Sequence, residues 1–418
     1  MCRVFVMFCL TLALLPVLTP ASAVIAQGNA QPAATSNQIE YSVEVDFGQD
    51  RGQSLGSLFE VRDASGRLQA GAGFQDVYNT RFRTGRRTLQ FFIRPDSGKD
   101  QLTLERLPHP DQGTGVYLTE FDGQLYSWSY AGNNSVRRWD AASEKWLAEL
   151  PPGMQSMRSG DGTMRLGSGQ LVFAENQAWY NGKQILAPPE SGRYYNFYYA
   201  EGHLFFYHEQ QEGEEYLTRI LACPWTTDSK AAIDLSDATI LTTKFPRETP
   251  FAWGQYGRQV LTVSNMGGMY VFENDAWKTV VEGLINTSYQ VYSMLHWYDR
   301  VLLAQYPTGN LFEYQGKEPV QLQGWPPVLP GVSTAARESQ TMALYRGELL
   351  VGVWPWAEMW RYERQTNSWR SLGRAFTHPE LTDKQVHPYE QHTERYRLVL
   401  NHWGQRVTSL VPQGDSLY

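Results

Sequence analysis

The sequence predicts an all-β fold: a β-propeller of about seven four-stranded blades, with a small N-terminal β module. Three observations support this prediction. Aromatic residues, Gly and Pro are abundant, a strand–turn–strand pattern recurs about every 45 residues along the chain, and we find no long window with helical periodicity. Together they indicate many short strands arranged in repeated sheets.

The composition is that of a globular protein built from short strands. The 418 residues include 14 Trp, 24 Tyr and 18 Phe, which favour strands, and 36 Gly and 22 Pro, which favour turns. The formal net charge is −7 with a pI near 5.7. Because a protein that binds duplex nucleic acid needs a basic surface to displace counterions, this acidic balance argues against a nucleic-acid partner.

Each copy of the repeat begins with a turn and an apolar strand, continues with an aromatic strand, and often ends with a Trp. The apolar strands of the successive copies contain Leu125, Leu171, Leu204, Val260, Val301, Leu349 and Leu398. A single twisted sheet cannot bury both of its faces. Stacking several sheets radially buries them against one another, and this requirement favours a propeller.

The spacing of aromatic residues within the repeat resembles that of kelch-type propellers. Trp139 and Trp146 are separated by six residues, and so are Tyr362 and Trp369. Kelch repeats also carry paired glycines after the second strand, and here only Gly267-Gly268 match that feature. The resemblance covers residues 111–418 as architecture, and it implies no activity.

The N-terminus has the features of an export signal. Arg3 precedes an apolar run, and Ala21-Ser22-Ala23 provides a small-x-small cleavage pattern, so we assign residues 1–23 as a signal peptide. The apolar run is short for a membrane span, and no later segment approaches that length. The sequence therefore predicts a secreted protein, periplasmic or extracellular, with no membrane span.

Residues 24–40 have the composition of a disordered linker, and residues 41–110 are predicted to form an N-terminal β module or a degenerate first blade. Residues 111–418 form the predicted propeller. Gly414–Tyr418 repeat the pattern of Asp122–Tyr126, as if another strand began there. Either the last blade is truncated, or N-terminal strands complete it.

Cysteine content sets one further constraint. Cys2 and Cys9 lie within the predicted signal peptide, so Cys223 is the one cysteine of the mature chain and has no intramolecular partner. We expect Cys223 to be buried, and we expect the fold to be held by apolar burial and strand pairing.

One candidate site is a histidine-rich stretch near the C-terminus. His378, His387 and His392 could bind a divalent metal, and His387 and His402 could provide a catalytic base. Their spacing matches no specific metal-binding signature. No cofactor is required by the sequence, and a divalent metal is the single candidate.

A second candidate site combines aromatic and amide side chains. Exposed tryptophans with neighbouring polar groups would suit a sugar, because the ring stacks on the apolar sugar face while amides and cations bind the hydroxyls. Packing between blades is the alternative role for these tryptophans. The candidate ligand-binding residues are Trp253, Gln255, Trp354, Trp356, Trp403, Gln405 and Arg406.

A third candidate site contains the residue types that polysaccharide lyases use. Tyr292, His296 and Arg337 could supply a base, an acid and a cation for a uronate carboxylate. Two functional hypotheses follow from these candidates. The first is a secreted propeller with a ligand-binding face for a glycan or a protein, and the alternative is a carbohydrate-active enzyme, a lyase or glycosidase. The oligomeric state is left open.

Overall fold

The computed structural model is an all-β protein in which consecutive strands form antiparallel sheets around a common axis. All described residues belong to the unit Arg51–Tyr418. The predicted signal peptide and linker lie outside the described residues. The structure describes residues 57–65, 68–75, 88–93, 103–110, 114–121, 123–131, 135–154, 162–213, 215–285, 287–332, 334, 337–364, 366–376, 380–381, 385–386, 399–400, 405–413 and 416–418.

The first three strands form a sheet of their own. They are β1 (Ser57–Arg62), β2 (Leu68–Gln75) and β3 (Thr88–Ile93), with β2 in the centre. This sheet contacts the rest of the unit through Glu60, whose carboxylate accepts a hydrogen bond from the Tyr298 hydroxyl and lies 3.5 Å from Arg364 Nη1.

Six four-stranded sheets follow, and in each one the strands pair in the order in which they occur along the chain. The first sheet comprises β4 (Thr114–Phe121), β5 (Gln124–Ala131), β6 (Val136–Asp140) and β7 (Lys145–Leu147). The second comprises β8 (Gly162–Leu166), β9 (Gly169–Ala174), β10 (Gln177–Tyr180) and β11 (Lys183–Leu186). The third comprises β12 (Arg193–Ala200), β13 (His203–Glu212), β14 (Glu215–Pro224) and β15 (Thr239–Thr242).

The fourth sheet comprises β16 (Pro250–Tyr256), β17 (Gln259–Ser264), β18 (Met269–Glu273) and β19 (Ala276–Val281). The fifth comprises β20 (Gln290–Trp297), β21 (Arg300–Tyr306), β22 (Leu311–Tyr314) and β23 (Val320–Gln321). The sixth comprises β24 (Glu338–Tyr345), β25 (Glu348–Trp354), β26 (Glu358–Glu363) and β27 (Ser368–Arg374). Within the described ranges the helical content is one short 3-10 helix, Leu235–Asp237.

The predicted all-β propeller is confirmed, but the number of complete blades differs from the prediction. The seventh copy was expected around Leu398. There β29 (Val399–Leu400) pairs in parallel with β28 (Gln385–Val386), and these four residues form no four-stranded sheet. The described residues therefore contain six complete blades instead of about seven.

A hairpin occupies the gap between the sixth sheet and the first. Its strands are β30 (Pro412–Gln413) and β31 (Ser416–Leu417), and Val411 and Tyr418 exchange backbone hydrogen bonds of 2.8 and 2.9 Å. The chain segment before β30 makes hydrogen bonds to both neighbouring sheets. Thr341 Oγ1 of the sixth sheet donates to the Val407 carbonyl at 2.9 Å, and the Leu118 N–H of the first sheet donates to Ser409 Oγ at 2.8 Å.

Apolar side chains pack at every junction around this ring. Sheets one to six share five successive cores, and two further cores join the hairpin to its neighbours. Leu410 packs against Ala343 and Leu350 of the sixth sheet, whereas Val411 packs against Leu125 and Trp139 of the first. The hairpin thus closes the ring at a seventh position, although it provides two strands and not four.

A repeated backbone link connects consecutive positions of the ring. The first strand of each sheet is its innermost strand. The loop between the second and third strands of one sheet pairs with a residue just before the innermost strand at the next position, as in Met266–Tyr289, Thr308–Arg337 and Trp356–Gln405. The N–H groups of Tyr289, Arg337 and Gln405 donate to carbonyls of the preceding loops at 2.8, 2.6 and 2.8 Å. Gln405 therefore occupies the position that precedes an innermost strand.

The six-residue spacing between aromatic residues has a structural explanation. Trp139 faces Trp146 across the outermost hairpin of the first sheet, with ring centroids 5.1 Å apart, and Tyr362 faces Trp369 in the sixth sheet at 5.2 Å. A tight hairpin with this separation places the two rings directly opposite each other. Cys223 is fully buried, as expected, and burial raises the pKa of its thiol to about 12.

Candidate functional site

Four of the six innermost strands, in the third to sixth sheets, contain a bulge in the half of the strand where it begins. Pairing registers shift in β16, β20 and β24 and leave one residue of each strand unpaired, namely Phe251, Tyr292 and Gln340. The shift in β12 leaves two, Asn196 and Phe197. A bulge redirects a side chain away from the regular alternation of a strand. We call this end of the ring the mouth.

Aromatic side chains from neighbouring strands meet at the mouth. Tyr292, Tyr306 and Trp354 form one buried cluster, with Phe251 packed against it. The rings of Phe251 and Tyr292 are 5.4 Å apart, and the Phe251 carbonyl accepts a hydrogen bond of 2.9 Å from Asn196 Nδ2. Asn196, Phe251 and Tyr292 therefore form a row of contacts across three neighbouring sheets.

Arg406 brings a cation to this cluster from the seventh position. Its Nη1 donates to Glu338 Oε2 and to Gln340 Oε1, both at 2.9 Å, and its guanidinium carbon lies 5.4 Å from the ring centroid of Trp354. Burial disfavours the charged guanidinium and is the largest single effect, but the Glu338 carboxylate together with Tyr292 and Tyr117 outweighs it and raises the pKa of Arg406. Arg406 therefore stays protonated.

Toward the described residues, the guanidinium uses only part of its hydrogen-bonding capacity. Arginine has five N–H donors, and within the described part of the chain the hydrogen bonds of Arg406 all start from Nη1. Its side chain is 30% exposed, whereas that of Glu338 is 1% exposed. The Nε and Nη2 donors can therefore bind an anion or a hydroxyl group that approaches the mouth. We call Phe251, Tyr292, Trp354, Glu338, Gln340 and Arg406 the mouth cluster.

A second ion pair lies behind the mouth cluster, in the body of the sixth sheet. Arg337 Nη2 is 3.6 Å from Glu358 Oε2 and donates to the Pro327 carbonyl at 2.9 Å, and both side chains are 1% exposed. Burial lowers the pKa of Arg337 and raises that of Glu358, and the opposite charge of each partner counteracts the effect. This pair is inaccessible to a ligand at the mouth.

The structure separates the residues that were predicted to bind a sugar. Trp354, Gln405 and Arg406 come together near the mouth. Trp356 is fully buried beside them, under the guanidinium of Arg374 at 5.0 Å. Trp403 lies outside the described residues.

Trp253 and Gln255 belong to a different environment. Trp253 is 1% exposed and its ring stacks on Tyr207 at 4.6 Å between the third and fourth sheets, while Gln255 accepts a hydrogen bond of 3.2 Å from the Tyr198 hydroxyl. Trp253 therefore packs between blades, which is the alternative role that the sequence allowed, because a ring buried between sheets offers no surface to a sugar. Gln255 lies within β16, whereas Gln405 lies in the backbone link that joins two positions of the ring, so the two glutamines occupy non-equivalent positions.

The residues expected to form a lyase site do not converge. Tyr292 is at the mouth, where its hydroxyl donates to Gln290, and Arg337 is buried behind the mouth cluster. His296 lies near the opposite end of β20, about 20 Å from the first residue of the strand at about 3.3 Å per residue. Burial lowers the pKa of His296 to about 4, against the opposing effect of Asp299, so the imidazole is neutral at pH 7.

The histidine-rich site stays a prediction. His378, His387, His392 and His402 lie outside the described residues. Among the residues that the structure does describe, no group of three or more His, Cys, Asp or Glu side chains could hold a metal ion. In the same part of the chain, no helix is long and apolar enough to cross a membrane.

Sequence reasoning missed Asn196 and Gln340 as mouth residues. Both lie at the bulges of their strands, where the pairing register shifts and regular alternation does not predict the direction of a side chain. A polar residue near the start of an innermost strand is the one signal that could have indicated them.

Comparisons with known proteins give only distant structural likenesses. A scan against protein-family models gives no match, and a search of curated proteins gives none either. The kelch resemblance thus rests on the aromatic spacing alone. One similar solved structure is the extracellular domain of a protein described as a hybrid two-component system from B. thetaiotaomicron, at 11% identity and a TM-score of 0.41. That match covers 66% of this chain and 35% of the other, so this chain spans about a third of its length.

A second similar structure is a computationally designed protein named Ika8. It has 11% identity and a TM-score of 0.39, and the match covers 77% of this chain and 90% of the designed one. Neither similarity indicates a ligand or an activity for this chain.

Proposed function

We propose that this protein is an exported β-propeller that binds an acidic glycan at its mouth. The observation that carries the proposal is Arg406, a partly exposed cation at the mouth whose Nε and Nη2 donate to no described residue and which lies against the buried ring of Trp354. A planar guanidinium binds a carboxylate through two parallel hydrogen bonds. A uronate residue presents such a carboxylate next to an apolar ring face.

The surroundings of Arg406 support a sugar ligand further. Phe251 is half-buried and provides ring surface at the mouth, while Tyr292 and the amides of Asn196 and Gln340 are buried and form the base of the site. Aromatic rings pack on the apolar faces of sugars, while amides bind hydroxyl groups as both donors and acceptors. The ligand would therefore lie across the bulged residues with its carboxylate at Arg406.

Binding is favoured over the enzymatic alternative because no base and acid are placed together among the described residues of the mouth. His296 is far along β20, and Arg337 is engaged with Glu358 behind the cluster. A lyase would need a base, an acid and a cation within reach of one uronate.

The proposal can be tested by calorimetric titration of the purified mature protein. The ligands are oligosaccharides of galacturonate and of alginate, with neutral cello-oligosaccharides for comparison. We expect the acidic oligosaccharides to bind and the neutral ones to bind at least about tenfold more weakly, because they lack the charge-assisted hydrogen bonds to Arg406.

Arg406→Lys keeps the charge but removes the planar fork, and we expect it to weaken binding about tenfold. Arg346→Lys, in the turn between β24 and β25 at the opposite end of the ring, is the matched control and should bind like the natural protein. Unchanged affinity in Arg406→Lys, or no binding by any acidic oligosaccharide, would contradict the proposal. Growth of unsaturated-uronate absorbance would instead support the lyase alternative.

A further inference from the structure

A cavity of about 300 Å³ opens between the fourth and fifth sheets, apart from the mouth cluster. Its floor is formed by the core that joins these sheets and includes Val263, Val291 and Leu303. Met266 and Met269 line one wall. No residue of the mouth cluster lines the cavity, so it is a separate site.

The cavity arises from the side chains that fill this junction. The neighbouring junctions are filled by tryptophans, with Trp253 and Trp277 between the third and fourth sheets and Trp297 and Trp360 between the fifth and sixth. The core between the fourth and fifth sheets contains no tryptophan and consists mainly of aliphatic residues. The wedge between these two sheets is therefore incompletely filled, with room for one large apolar side chain.

The rim of the cavity is apolar and unusually exposed. Leu284 is 64% exposed, the adjacent Ile285 is 61% exposed, and Val320 next to the lining residue Pro319 is 58% exposed. Contiguous exposed apolar side chains around a concavity are typical of protein–protein interaction sites. A small ligand would be covered by the cavity alone, whereas a protein partner would also cover the rim.

The charged groups of the lining are acidic. Glu282 and Glu318 both line the cavity, and no basic side chain does. Glu282 lies 3.3 Å from Lys244, while Glu318 forms no ion pair with any described residue. The site thus combines an apolar interior with a carboxylate available at its edge.

We propose that this cavity, which we call the flank pocket, binds a protein partner through an aromatic side chain that lies next to a basic residue. The aromatic ring fills the space that a tryptophan occupies at the neighbouring junctions. The adjacent lysine or arginine pairs with Glu318, and the partner residues around this anchor cover Leu284 and Ile285. A buried aromatic anchor with a charged neighbour is the usual centre of such an interface.

The test uses the full chain labelled with ¹³C at the methionine methyl groups. The probe is the blocked dipeptide acetyl-Trp-Lys-amide, and the comparison peptides are acetyl-Trp-Glu-amide and acetyl-Ala-Lys-amide. We expect acetyl-Trp-Lys-amide to shift the methyl signals of Met266 and Met269, which line the flank pocket, and to leave unchanged those of the buried Met164 and Met342, which belong to other cores. Both comparison peptides should bind at least about threefold more weakly, because each lacks one of the two contacts.

Two variants locate the binding. Thr287→Trp fills the flank pocket from its rim and should abolish the shifts, and Glu318→Lys should weaken binding at least about threefold. Glu215→Lys, an exposed carboxylate outside the pocket, is the matched control and should change nothing. The proposal would be overturned by shifts that persist in Thr287→Trp, by the absence of shifts with acetyl-Trp-Lys-amide, or by concentration-dependent shifts without peptide, which would identify a second copy of the chain as the occupant.

Discussion

Arg406 and Glu338 form an ion pair of 2.9 Å between the seventh position of the ring and the innermost strand of the sixth sheet. The pair therefore connects the segment that closes the ring to the last complete blade. It also holds the guanidinium at the mouth through Nη1, and Nε and Nη2 donate to no described residue. Closure of the fold and presentation of the proposed binding group depend on the same side chain.

Replacing Arg406 by Met should destabilise the protein by about 2–3 kcal/mol, because the buried Glu338 carboxylate loses the cation that faces it. The double variant Arg406→Met with Glu338→Gln should recover part of that loss. Urea unfolding measures both changes. Arg258→Met removes an exposed partner of Glu201 and should cost less than about 1 kcal/mol, so an equal loss in the two arginine variants would contradict this interpretation.

Because the ring closes at the seventh position, we expect the stability of the protein to depend strongly on one small side chain there. Val411 is fully buried between Leu125 and Trp139, and Val411→Ala should lower the free energy of unfolding by about 2–3 kcal/mol. The same substitution at the exposed Val320 should change it by less than about 0.5 kcal/mol. Thermal unfolding of both variants checks the prediction, and similar midpoints would show that the hairpin does not hold the ring closed.

The repeat could be recognised from the sequence because its signal is local. A turn followed by an apolar strand, as in Gly123–Leu125 and Gly169–Leu171, marks a second strand in each sheet, and the six-residue aromatic spacing marks an outermost hairpin. These features depend on neighbouring residues along the chain. They predicted the propeller architecture correctly, including the strand that begins after Gly414.

The mouth could be recognised only in part. Trp354 and Arg406 were singled out because their residue types suit a sugar, whereas Gln340 was missed because its orientation depends on a bulge. The seventh copy was placed near Leu398 because an apolar run there resembles the repeat, although the ring is closed by residues after Gln405. The residues of the mouth and the segment that closes the ring are both determined by contacts between distant parts of the chain. The pattern of residues within one strand carries no information on such contacts.

The burial of Trp253 leads to a prediction that separates packing from binding. Trp253→Ala should cost about 3–5 kcal/mol, because the ring stacks between Tyr198 and Tyr207 in the core. The milder Trp253→Phe should fold and bind acidic oligosaccharides with unchanged affinity. Loss of binding in Trp253→Phe at an unchanged unfolding midpoint would instead restore this ring as a sugar platform.

The buried His296 predicts a specific dependence of stability on pH. Its pKa is about 4 in the folded protein, mainly because of burial and against the effect of Asp299, whereas an unfolded chain has a His pKa near 6.5. Between pH ~6.5 and ~4 the unfolded chain binds a proton that the folded protein does not. Stability should therefore fall as the pH decreases through this window, by about 2–3 kcal/mol in total.

The variant His296→Gln isolates this contribution from that of the carboxylates, because it removes only the imidazole. We expect the difference in unfolding free energy between the natural protein and His296→Gln to shift by about 2–3 kcal/mol in favour of the variant between pH 7 and pH 4, as measured by urea unfolding at several pH values. A difference that stays constant with pH would mean that the ring titrates alike in the folded and unfolded chains. The imidazole would then be accessible at its end of β20, and the burial argument for its neutral state would fail.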